Sequence, residues 1–234
     1  ASNVTQTDGT PASYWWFRDS AGNIDGEAFD NDTGNPGSVR WDDSALVLTI
    51  SGVVYSDDGV TPLTGGTCDG VATPVRVVVD GLTTYDASCS NVDGSFSVAG
   101  VTVIGDPTIT VFLNNASGGE YASTITRTPT ADITDLDLYA NRVMTRHEDT
   151  AALTIANLAV YDSVDDADLR FTAATSTGGD TLSTMPDTEL YVFATTTFTP
   201  GGTVTLNSGG SGATYDGSLH LGNDAVFTGV ATTT

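Results

Sequence analysis

From residue 46 onward, apolar and polar positions alternate in short runs. Leu46-Leu48-Ile50, Val75-Val77-Val79, Ile109-Val111-Leu113, Leu136-Leu138, Leu153-Ile155, Leu169-Phe171, Leu190-Val192 and Leu219-Leu221 each place apolar side chains two positions apart. A two-residue period puts them on one face of a strand, and no stretch follows the 3.6-residue period of an amphipathic helix. Val and Thr dominate the runs, as suits a half-buried pleated surface. Gly, Asp, Asn and Pro break them at short intervals. The pattern predicts an all-β chain of many short strands, arranged as a sandwich or barrel.

Three regions differ in character. Residues 1–45 hold few strand patterns but a dense aromatic cluster, Tyr14-Trp15-Trp16-Phe17, followed by turn-rich sequence. They read as an N-terminal arm and an acidic loop region. Residues 46–140 read as one Ig-like β-sandwich. Residues 141–234 read as a second β-rich domain, sandwich or solenoid-like. There Leu190-Tyr191-Val192-Phe193, Val204-Thr205-Leu206 and Leu219-His220-Leu221 recur about every fifteen residues between Gly-rich turns. The recurrence fits either a stacked β-solenoid or ordinary meander strands. Ala225, Phe227 and Gly229 alternate ahead of Thr232-Thr233-Thr234 and would form one last strand.

In the middle region, Ile50-Ser51-Gly52-Val53-Val54-Tyr55-Ser56-Asp57-Asp58-Gly59 reads as a strand and turn. Pro74-Val75-Arg76-Val77-Val78-Val79-Asp80-Gly81 reads as a central strand and hairpin turn, and Asn91-Val92-Asp93-Gly94-Ser95-Phe96-Ser97-Val98 as a turn and strand. Over residues 48–115 this succession resembles the carboxypeptidase regulatory-like (transthyretin-like, Ig-like) domain of bacterial surface proteins. The Gly/Thr-rich segments that follow resemble those of large bacterial repetitive surface proteins. The resemblance implies a stalk or spacer. Related collagen-adhesin repeats crosslink themselves through lysine. This chain departs there, and a disulfide would serve instead.

Composition narrows the function. The 234 residues suffice for one large β domain or two modest ones. The net charge is -23, and all 7 basic residues are arginines. Without lysine there is no P-loop, no Schiff base, no pyridoxal chemistry and no lysine-linked crosslink. An acidic surface argues against nucleic acid and against anionic lipid, and no stretch reads as membrane-inserting. Cys68 and Cys89, the only cysteines, read as a disulfide made outside the cytosol, with two buried thiols as the alternative. A chain opening on Ala1 is what signal cleavage would leave, and equally what a fragment would show. Asn3, Asn31 and Asn115 begin glycosylation sequons.

Candidate chemistry is sparse. Asp19, Asn23, Asp25, Glu27, Asp30 and Asp32 crowd oxygen ligands onto turns and form a candidate Ca²⁺ site, although the string departs from the EF-hand pattern. The Asp57-Asp58 turn is a second, weaker one, and Asp is also simply a good turn residue. No cofactor is otherwise required. His147 lies in the charged turn Arg146-His147-Glu148-Asp149, and His220 would face away from Leu219 and Leu221. Neither accompanies a nucleophile motif, so no catalytic residue is expected and the chain reads as a non-enzyme.

The expectation is a secreted structural subunit of an extracellular filament or cell-surface layer. The arm from Val4 through Tyr14, Trp15, Trp16 and Phe17 would add as a strand to a neighbouring copy, its aromatics acting as buried anchors. A head-to-tail contact of that kind builds a homopolymer. The arm's alternative acceptor is its own sandwich, and the C-terminal strand is the alternative donor. The competing reading is a monomeric adhesin, stalk or glycan-binding module whose partners are glycans or other surface proteins.

Overall fold

A computed structural model describes residues 45–210, 215 and 217–228. The arm residues Val4, Tyr14, Trp15, Trp16 and Phe17, the Ca²⁺ candidates Asp19, Asn23, Asp25, Glu27, Asp30 and Asp32, and the sequons at Asn3 and Asn31 lie outside the described residues.

The fold is all-β. The first half of the described chain carries β1 (Leu46–Tyr55), β2 (Val75–Val79), β3 (Thr83–Ala87), β4 (Ser95–Val103), β5 (Thr108–Leu113), β6 (Ala122–Arg127) and β7 (Leu138–Tyr139). Then follow β8 (Arg142–Thr145), a single helical turn α1 (Ile155–Leu158), β9 (Phe171–Ala174), β10 (Asp180–Thr184), β11 (Glu189–Val192), β12 (Thr197–Phe198), β13 (Gly202–Thr205), β14 (Leu219–Leu221) and β15 (Val226–Phe227). The Leu153-Ile155 run, which alternates like a strand, instead makes one bridge at Leu153 and enters α1. Its apolar pair is buried either way, so the two-residue spacing could not distinguish the forms.

Seven strands form a central sheet in the order β14-β11-β8-β6-β5-β2-β3. Pairing is antiparallel from β3 to β6 and parallel from β6 to β14. Hydrogen bonding therefore continues across residue 140, where the composition changes, and the described residues form one compact unit. The sheet is covered on both faces. Val75, Val77 and Val79 on β2, with Ile109, Val111 and Leu113 on β5, point into one core. Val78 and Phe112 point from the same strands, and Ile125 from β6, into a second core built by the later half of the chain. This is why β5 is buried at every position rather than at alternate ones.

The first core is closed by a sheet of β4-β1-β7. Leu48 pairs with Val101 but Ile50 with Val98, a bulge that keeps Val98 and Val101 both facing inward. Gly52 on β1 lets the Leu136 carbonyl approach where any Cβ would overlap it. Cys68 and Cys89 are joined by a disulfide within this core, both essentially inaccessible. Their loop spans 21 residues, and the chain-entropy model gives such a link about 3 kcal/mol. The double substitution Cys68→Ser/Cys89→Ser should lower the unfolding free energy by that amount in a urea titration. A loss below about 1 kcal/mol would show that the unfolded chain is already constrained without it.

The second core lies within a coil. The chain runs through β10, β11 and β12, then repeats the same course through β13, β14 and β15. Each later strand lies parallel on its predecessor: Leu182 opposite Val204, Leu190 opposite Leu219, and Phe198 opposite Phe227. This is one turn of a β-solenoid stacked on the next. The offset between stacked strands is 22 residues for Asp180 and Gly202 and 29 for Leu190 and Leu219. The fifteen-residue recurrence is thus half a turn, because Val204 belongs to a different face of the coil from Leu190 and Leu219.

Candidate interaction surface

The final coil leaves three strand edges without a further neighbour among the described residues: β13, β14 and β15 each end their sheet. Leu190 and Val192 of β11 are fully buried beneath β14. The matching Leu219 and Leu221 are 39% and 45% exposed. They carry core-type side chains at the level where the next coil of a solenoid would lie. His220 points to the opposite face, as alternation requires, and stacks on Tyr191 at 4.5 Å between ring centres.

That opposite face carries a row of aromatics. Tyr55 stacks on Tyr139 at 5.5 Å, Tyr139 meets Tyr191 edge-on at 6.0 Å, and Tyr191 touches both Phe193 and His220. The row crosses the ends of β1 and β7 and the middle of β11 and β14. Burial raises the pKa of Tyr55, Tyr139 and Tyr191, most strongly for Tyr139, which the Asp137 carboxylate pushes further. These phenols are therefore neutral contact groups.

Beneath the row lies a buried ion pair. The Arg142 Nε donates to Glu189 Oε2 at 2.5 Å, and both residues are more than nine-tenths buried. Arg142 Nη2 reaches the exposed Asp58 at 3.2 Å, and the guanidinium lies over the Tyr215 ring. Burial alone would lower the Arg142 pKa, but the bond and charge of Glu189 outweigh it and the net shift is upward. His220 Nδ1 stands 3.7 Å from Glu189 Oε1. Adjacent parallel strands supply these groups: Arg142 lies opposite Glu189, and Tyr191 opposite His220.

The remaining sequence candidates are dispersed. Asp57 serves its own turn, accepting the Val60 and Thr61 N–H groups at 2.9 and 2.8 Å. The Thr61 side chain and these backbone donors hold its carboxyl below the usual range. Asp58 turns toward Arg142 instead, and no group of three or more metal-ligating side chains occurs among the described residues. His147 follows β8 beside the Arg146–Glu148 ion pair of 2.8 Å. Asn115 is exposed at the rim of a polar cleft of about 260 Å³. Arg76 in that cleft is engaged by Asp86 at 2.8 Å and Asp166 at 3.8 Å, so it offers no free cation.

Sequence reading passed over the Arg142–Glu189 pair. The two residues are 47 positions apart, and only the parallel stacking of β8 and β11 makes them neighbours. Compared with family models, curated proteins and solved structures, the chain matches none. No helix among the described residues is long and apolar enough to cross a membrane.

Proposed function

We propose that the protein is a secreted, non-catalytic structural subunit of an extracellular filament or cell-surface layer, and that a terminal arm of one copy adds as a β-strand to the next. The observation that carries this reading is the last coil, whose strands end their sheets among the described residues and whose Leu219 and Leu221 are half-exposed. An unpaired apolar edge is a template for another chain, and natural monomers usually blunt theirs with charge or a cap. Head-to-tail addition does not close on itself and so extends a filament.

Charge supports the same surface. Copies carrying -23 each repel one another except where charge is sparse. Residues 217–228 hold a single acidic residue, Asp224, and residues 1–17 hold only Asp8. The disulfide suits an oxidising compartment. In this reading the first sandwich is the carboxypeptidase regulatory-like, Ig-like spacer. Ca²⁺ on Asp19 to Asp32 and glycans on Asn3, Asn31 and Asn115 are accessory to it.

The half-buried aromatic row favours a second reading, a monomeric adhesin or stalk with glycan or protein partners. Electron microscopy of the full chain beside a form lacking residues 1–17 separates the two. Regular filaments that vanish on truncation are expected for the subunit. Dispersed monomers in both samples, with the truncated form still folded, would leave the adhesin or stalk.

A further inference from the structure

We infer that the acceptor is the free edge of β14, and that its occupant is the run Tyr14-Trp15-Trp16-Phe17 of a second copy; this rests on the proposed strand addition.

The edge has the necessary backbone groups. Leu190 N–H donates to the Ser218 carbonyl, and Gly222 N–H donates to the Val192 carbonyl, both toward β11. Bonding alternates along a strand. The N–H and C=O of Leu219 and of Leu221 therefore face away from β11, two residues apart, ready for another strand.

The side chains decide which strand fits. A segment added beside β14 would be covered on both faces. On one face it would continue the interior stack Leu190–Leu219 and Val192–Leu221. On the other it would continue the aromatic row Tyr139–Tyr191–His220. An ordinary amphipathic strand, apolar on one side only, suits one of these faces and not the other. The arm run is aromatic at four consecutive positions, so in an added strand Tyr14 and Trp16 would face one way and Trp15 and Phe17 the other. Adjacent tryptophans, awkward for a one-sided binding surface, are what a doubly covered strand needs. Pro11, three residues before Tyr14, can begin a strand but would interrupt a central one. The edges of β3 and β4 lack this match: β3 is exposed at Thr83, Thr84 and Asp86, and β4 alternates buried positions with the exposed Ser95 and Ser97.

The test uses the full chain with a benzophenone amino acid replacing Trp15. Isotopically light and heavy copies are mixed while dissociated, allowed to assemble, and irradiated. Mass spectrometry of the linked peptides should join a light arm to the heavy residues 218–222, and the reverse. Leu221→Asp, and independently Leu219→Asp, should cut that product roughly tenfold or more while cooperative melting persists. Links between copies at β3 or β4 would overturn the assignment to β14 and leave the filament reading intact. Links found only within single copies would overturn both. An undiminished yield in the two edge variants would also overturn it.

Discussion

Phe198→Ala should lower the unfolding free energy by about 3–5 kcal/mol, the usual cost of removing a buried aromatic from a core that cannot collapse. Phe198 is fully buried in β12, paired in parallel with Phe227 and bridged by Leu153. Its ring meets Phe227 edge-on at 5.6 Å. The neighbours are held by strand pairing on either side, so little can move in to fill the space. For a folded unit of this size the melting temperature should fall by on the order of 10 °C. The form of the transition is as informative as its midpoint. β2, β5 and β6 present side chains to both cores, so damage to the second core weakens a wall that the first core shares. Calorimetry should show one transition moving down as a whole. Two separated transitions, only one of them shifted, would mean that the cores unfold independently and that the shared wall does not couple them.

That wall marks where the chain's pattern stopped being legible. Alternation located most strands, because a face buried against one core leaves a two-residue trace. It could not indicate that Val78 and Phe112, lying between inward-facing neighbours, look into a core supplied by residues far later in sequence. A change of composition near residue 140 is real, but backbone hydrogen bonds are indifferent to composition, and Ala122–Ile125 pairs with Arg142–Thr145 across it. The cysteine pair was readable because no other cysteine competes. His220 was placed on the correct face because alternation is local. The place of β14 at the end of its sheet among the described residues was not readable, since an edge is defined by which strands fail to pair. Arg142 and Glu189 escaped notice among so many acids, because a charge reveals burial only through its surroundings.

Arg142→Met should cost about 3–5 kcal/mol, because it strands the Glu189 carboxylate in a site built for a pair. Glu189 is only 7% exposed, and the cation-capable side chain left near it is His220 at 3.7 Å. Arg142→Met/Glu189→Met should recover most of that loss, since removing both charges also removes both desolvation penalties. Glu189→Met alone should fall between the two, because Arg142 keeps Asp58 and the Tyr215 ring. Urea titrations of the four proteins form a double-mutant cycle, and a coupling of at least about 1 kcal/mol is expected. A single-variant loss below about 1 kcal/mol would mean the pair behaves as an exposed one. The consequence extends to assembly. Glu189 lies on β11, the strand that β14 pairs with, and the pair fixes β11 against β8. If β14 is the acceptor edge, the single variant should assemble poorly under conditions where it is still folded, and the double variant should assemble as the native chain does.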